Sequence, residues 1–188
     1  MRVTTEPERG APEGVAQYAR RMSPETSVRY MDCLFSILAG SEDTGGRFGV
    51  MEMVAPKGLE PSRHVHHRDD EGFYVLEGNI TFYVGEETYE AGPGTFVFLP
   101  HGVPHSYTFE TDVIRALAIV APGGIEEHFR DPRFSEPAQA LTLPPPSTGP
   151  PAGAILEDMA EDLASYGTEV VGPSGPPEQG VEDTHSDQ

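Results

Sequence analysis

An all-β fold, a sandwich or barrel of short strands in one domain, is predicted by three observations. Apolar and β-branched segments recur at close intervals between residues 27 and 120. Gly-rich or acidic turns separate them, such as VGEE at 84–87 and AGPG at 91–94. No strand alternates with a helical pattern, as a parallel sheet would require, and no internal repeat is visible.

Residues 1–12 are polar, contain Pro7 and Pro12, and are expected to be disordered or loosely attached. Residues 14–22 predict a short helix, with Val15, Tyr18 and Met22 on one side. Residues 27–38 are mostly apolar and predict one strand, SEDTGG at 41–46 a turn, and residues 47–55 a second strand. Strands are expected at 79–84, 87–90, 95–99, 103–109 and 113–120. Beyond Pro122 the pattern changes. Residues 123–130 predict a short helix, and LPPPSTGPPAG at 143–153 is a Pro-rich linker unable to continue a sheet. Ile155, Met159, Leu163 and Tyr166 form the stripe of an amphipathic helix that packs on the barrel or on a partner. The expected divisions are an N-terminal segment 1–24, a barrel 25–135, a linker and helix 136–172, and a disordered acidic tail 173–188.

The 188 residues carry 31 acidic and 12 basic side chains, a formal charge of −19. No basic patch can be assembled from this composition, which argues against nucleic acid and anionic membranes as partners. Residues 142–188 contain nine acids and no Lys or Arg. Cys33 is the only cysteine, so no intrachain disulfide can form. No signal-peptide pattern opens the chain and no apolar run reaches membrane-span length. The expectation is a cytoplasmic protein with a reduced thiol.

Seven histidines are present, and five fall between residues 64 and 105. The first cluster reads GLEPSRHVHHRDDEGFYVLEG from Gly58 to Gly78, and the second GTFVFLPHGVPHSYTF from Gly94 to Phe109. On a strand, side chains alternate faces, so His64 and His66 point the same way. With Glu71 and the distant His105 they can converge on one divalent ion. His67 faces the opposite way, His101 sits in an exposed turn, and His128 and His185 fall outside the barrel. Asp69 and Asp70 read as solvated hairpin residues. Three neutral imidazoles and one carboxylate suit Ni, Fe, Mn, Co, Cu or Zn far better than Ca or Mg.

The two segments resemble the paired motifs of the cupin superfamily. The first is G-x5-H-x-H-x4-E-x6-G, carried by Gly58, His64, His66, Glu71 and Gly78. The second is G-x5-P-x-G-x2-H, carried by Gly94, Pro100, Gly102 and His105, with Phe109 where the family customarily has Asn. The resemblance implies a single-domain jelly-roll β-barrel with short flanking helices, binding one divalent transition metal through His64, His66, Glu71 and His105. The flanking segments 27–48, 119–129 and 166–173 resemble bacterial single-domain quercetin 2,3-dioxygenase-like cupins, including nickel-dependent ones. That likeness implies Ni as the preferred metal and O2 as co-substrate. It also implies cleavage of a flavonol ring with release of carbon monoxide, with Glu71 as both ligand and general base. Alternatives are a cupin oxygenase, isomerase or cyclase of a biosynthetic pathway acting on another phenol or enol, and a non-catalytic metal-binding cupin.

A planar aromatic substrate needs an apolar pocket. Alternation from Glu71 points Phe73 and Val75 inward, and alternation from His105 does the same for Val103, Tyr107 and Phe109. Tyr30 and Phe35 on the first strand are further candidates. The stripe of residues 155–166 and the apolar first strand suggest a homodimer.

Overall fold

A computed structural model describes residues 16–143 and 153–177. Twelve strands form two sheets: β1 (Ser27–Tyr30), β2 (Cys33–Ala39), β3 (Gly49–Pro56), β4 (Arg63–His66), β5 (Asp70–Glu77), β6 (Ile80–Val84), β7 (Glu87–Ala91), β8 (Phe96–Leu99), β9 (His105–Phe109), β10 (Val113–Ala121), β11 (Ser135–Pro137) and β12 (Thr168–Gly172). The seven-stranded sheet runs β11-β1-β2-β3-β10-β5-β8 and the five-stranded sheet β12-β4-β9-β6-β7. All pairings are antiparallel. The two sheets face each other across a core that includes Phe35, Met53, Phe73, Val75, Phe82, Tyr107, Phe109 and Ala116. This is the sandwiched barrel of a jelly roll.

Four local expectations change. The strand expected at 27–38 is a hairpin, with Tyr30 paired to Cys33 across Met31 and Asp32. Met31 takes a left-handed φ of 55° there, and Asp32 supplies the turn chemistry that an apolar pattern hides. The described part of the segment expected as a helix, residues 16–22, is irregular. Tyr18 Oη donates to the Leu38 carbonyl and Arg20 pairs with Asp43, so side-chain anchors hold this segment instead. SEDTGG contains a one-turn helix, α1 (Ser41–Thr44), closed by Gly45 at φ 65°. β12 extends the five-stranded sheet alongside β4 with Thr168 opposite His66, so segment 168–172 is part of the sheet.

The helix expected at 155–166 is present as α2 (Gly153–Tyr166), and residues 125–130 form a 3-10 helix. Met159 of α2 is buried in the core cluster and Leu163 and Tyr166 are half-buried, so this part of the stripe faces the barrel of its own chain, while Ile155 is exposed. Residues 173–177 also lie against the barrel: the Pro173 carbonyl accepts from Arg63 N and the Gly175 carbonyl from Ser106 Oγ. Residues 1–15, most of the Pro-rich linker (144–152) and the tail 178–188 lie outside the described residues. No described helix is long and apolar enough to cross a membrane.

Candidate metal centre

β4, β5 and β9 bring the histidine motifs together. The antiparallel register sets His64 directly opposite His105. Alternation along β4 then turns His66 to the same face, and β5 presents Glu71 from the other sheet. One ligand atom from each of His64, His66, Glu71 and His105 lies within 4.8 Å of all the others. Ring centroids are 4.5 Å apart for His64 and His105, and 5.3 Å for the parallel rings of His66 and His105.

Each imidazole is tied down at Nδ1. His64 Nδ1 donates to the Ser62 carbonyl at 2.7 Å and His105 Nδ1 to the Val103 carbonyl at 3.1 Å. His66 Nδ1 lies 2.8 Å from Asp69 Oδ2. Those contacts fix the tautomer and leave each Nε2 a bare lone pair. Such lone pairs crowd around a carboxylate: Glu71 Oε2 is 3.4 Å from His105 Nε2 and 3.7 Å from His66 Nε2. Both Glu71 Oε2 and His105 Nε2 are buried without a hydrogen-bond partner. Acceptors facing acceptors in a dry site are costly unless a cation lies between them. The donor set therefore fits a divalent transition metal.

Without a cation, protons take its place between these groups. Burial pushes the Glu71 carboxyl up, but a hydrogen bond from His105 and the positive charge of His66, His105 and His64 when protonated more than offset it and hold it at about 2; a bound metal would displace those protons. The carboxylate is ionised and gives the cluster its negative charge. Burial pulls His64 down to about 4, keeping that imidazole neutral. His66 is also drawn down by burial, but Asp69 and Glu71 outweigh this and its net shift is upward.

Asp69 corrects the sequence expectation. It is buried rather than solvated, because the short β4–β5 connection folds it back beneath His66. Asp70 does sit at the surface, bonded to both the backbone and the imidazole of His101. His67 points outward and contacts Glu169 on β12.

The cluster opens into a cavity of about 1560 Å³, lined by His64, His66 and Glu71 together with Met51, Leu59, Ile125, Phe129, Met159 and Leu163. Among the aromatic and apolar residues expected to contact a substrate, Tyr30 and Tyr107 line this cavity. Phe35, Phe73, Val75 and Phe109 do not. They point inward, as alternation requires, but are part of the close-packed core. Inward-facing residues of a small barrel divide between packed filling and cavity wall, and period-2 reasoning cannot separate the two. Val103 is in the loop before β9, packed on the outside of the core cluster. α2, from beyond the Pro-rich linker, walls one side of the cavity through Ile155, Leu156, Met159 and Leu163. Sequence reasoning placed His128 outside the barrel, yet it is completely buried and also lines the cavity.

Comparison with known proteins decides the family. Residues 50–129 match the family described as "Cupin domain". That stretch is a cupin domain. The chain is 29% identical over 119 residues to "Quercetin 2,3-dioxygenase" of Bacillus subtilis, an alignment covering 63% of this chain and 35% of that protein. It is 32% identical over 56 residues to an uncharacterised protein of Streptomyces coelicolor, covering 30% of this chain and 53% of that one. It therefore spans about a third to a half of the length of these curated relatives. Among solved structures, KdgF from Halomonas sp. aligns over 59% of this chain and 91% of its own chain, at 16% identity and a TM-score of 0.46.

Proposed function

We propose that this chain is a metal-dependent dioxygenase that cleaves the central ring of a flavonol such as quercetin with O2 and releases carbon monoxide. The observation carrying the reading is the cluster of three histidines and one glutamate at the head of a mostly apolar cavity. Likeness to the Bacillus subtilis quercetin 2,3-dioxygenase supports the substrate class. His64, His66, Glu71 and His105 would hold one divalent metal per chain, with Ni preferred and Mn, Fe, Co, Cu or Zn compatible with the donor set. The bound metal would supply Lewis acidity that lowers the pKa of the flavonol 3-hydroxyl. Glu71, ionised before substrate arrives, accepts that proton at a carboxylate oxygen. Met51, Leu59, Ile125 and Met159 exclude water and take up the faces of the aromatic rings. Tyr107 is buried beside the cluster with its phenol pushed well up by burial, so it stays protonated.

The cavity is open to solvent on one side and sets no upper limit on ligand size, which admits a second reading. An oxygenase, isomerase or cyclase for a larger polycyclic phenol or enol would use the same metal and Glu71.

The test is to load the protein with Ni, Mn, Fe or Co, add quercetin, and follow O2 uptake and carbon monoxide. Carbon monoxide release is the expected result. O2 consumption without it, on another phenol, selects the second reading. Full metal content with no turnover of any phenol refutes both. Glu71→Gln should lose turnover by at least about 100-fold, within the range of general-base catalysis, and lose less of its metal than of its activity. Near-wild-type turnover would refute the base assignment.

A further inference from the structure

A second chain of polar groups lies along the cavity, away from the metal cluster. Tyr30 at the end of β1, His128 in the 3-10 helix and Asp162 on α2 are joined by hydrogen bonds. Tyr30 Oη is 2.9 Å from His128 Nε2, and His128 Nδ1 is 2.7 Å from Asp162 Oδ2. Arg133 bonds the other oxygen of Asp162 and also pairs with Asp131. The aromatic rings of Phe129 and Phe134 pack against His128. Tyr30, His128 and Arg133 all line the same cavity as His64 and Glu71. Three segments far apart in sequence thus line up a half-buried carboxylate, a buried imidazole and a buried phenol in series beside a ligand-sized space.

The direction of the chain follows from its charges. Asp162 Oδ1 accepts from the Arg133 guanidinium, which leaves Oδ2 as the acceptor toward His128. His128 Nδ1 must then carry the proton, which leaves Nε2 as a bare acceptor. Tyr30 can satisfy it only by donating its O–H. Burial pulls His128 down and Tyr30 up, so both are neutral and this arrangement persists. The Tyr30 oxygen is thereby left with lone pairs and no proton to offer.

We infer that Tyr30, oriented by His128 and Asp162, is a second polar anchor in the cavity that accepts a hydrogen bond from a free hydroxyl of an aromatic ligand. The ligand class is a phenol carrying at least one hydroxyl beyond any that meets the metal. A methoxy group or bare ring edge at that position leaves the Tyr30 oxygen without a donor and is bound more weakly. His128 and Asp162 are positioning residues: they touch no ligand and act by fixing the proton of Tyr30. This inference rests on the reading of the cavity as an aromatic-ligand site, but not on ring cleavage.

The test compares anaerobic binding of quercetin and 3-hydroxyflavone, which shares the 3-hydroxyl and lacks the others, to the Ni-loaded full chain. Resorcinol and its monomethyl ether, which keeps one hydroxyl for the metal, run in parallel as non-flavonol probes. Wild type should prefer the more hydroxylated member of each pair by about tenfold, the scale of one unpaired hydrogen bond. Tyr30→Phe, which keeps the ring packing, should bring both ratios close to one, and Asp162→Ala should narrow them. A purely structural Tyr30 would change both members of a pair equally. Ratios unchanged in Tyr30→Phe, no preference in wild type, or no binding of any of the four probes would each overturn the inference. If resorcinol selectivity collapses in Tyr30→Phe while quercetin is neither bound nor cleaved, the flavonol reading fails and the anchor stands. If quercetin is cleaved with carbon monoxide but selectivity ignores Tyr30, the reverse holds.

Discussion

Asp69→Asn and Asp69→Ala probe the metal centre without touching a ligand. Asp69 is buried and its Oδ2 lies 2.8 Å from His66 Nδ1, a close contact that falls short of hydrogen-bond alignment, while Thr168 Oγ1 is 3.4 Å from the same nitrogen. Hydrogen bonds to charged groups are worth about 1.5–3 kcal/mol and neutral ones about 0.5–1.5 kcal/mol. Asn preserves shape and an acceptor oxygen, so the substitution removes at most about 1–1.5 kcal/mol of orientation and ligand basicity. That corresponds to about a tenfold loss of metal affinity. Ala removes the acceptor altogether and frees the ring, which moves the loss toward the hundredfold limit seen for such supporting residues. Competition with a chromogenic chelator, on samples shown by circular dichroism to be folded, measures both. The order wild type, Asn, Ala is the expected result. Affinities of both variants within twofold of wild type would refute the argument that Asp69 organises the site.

Two other predictions concern stability. Gly78 sits at φ 80°, where an added Cβ would meet Thr111 Oγ1 at 2.5 Å and the Val113 carbonyl oxygen at 2.7 Å. Left-handed strain of about 1–2 kcal/mol and overpacking of about 1–3 kcal/mol give a loss of about 2–5 kcal/mol for Gly78→Ala, readable by urea denaturation. His128 supplies an acid-sensitive term. Burial lowers its folded pKa below the unfolded value, against the opposing pull of Asp162 and Asp131 and with the repulsion of Arg133. The unfolded chain therefore binds the extra proton first, so this contribution is complete above about pH 6.5. It is lost as pH falls from there through the folded pKa. In His128→Gln the slope of stability between about pH 6.5 and 5 should flatten relative to wild type, and an unchanged slope would contradict the assignment.

The metal cluster was legible because its information is local and periodic. Two-residue spacing puts His64 and His66 on one face of β4, and the second motif supplies His105 on the strand that pairs with it. The remaining features depend on distant contacts. Asp69 and Asp70 are adjacent acids in one turn, and only the fold of the β4–β5 connection buries one and exposes the other. Tyr30, His128 and Asp162 are separated by 98 and 34 residues, with no motif linking them. A histidine directly after two glutamates in a short helix gives no sign of burial. β12 has a Val-Val pair between Glu and Gly, too short for periodicity to register, and exists because the open edge of β4 accepts it. The cavity itself depends on α2 arriving from beyond the Pro-rich linker. A homodimer remains a proposal; exposed Phe96 and Phe98 on edge strand β8, and exposed Ile155 and Leu156 at the start of α2, offer apolar surface for it.

Metal content and coordination test the central claim most directly. Protein stripped with chelator, reloaded with Ni and passed through a desalting column should retain about one equivalent per chain. X-ray absorption should then show nitrogen and oxygen donors at about 2.0–2.2 Å and no sulfur, and His105→Ala should lose an imidazole from the spectrum or lose the metal. Retention far below one equivalent, or a spectrum and stoichiometry unchanged in His105→Ala, would contradict the account.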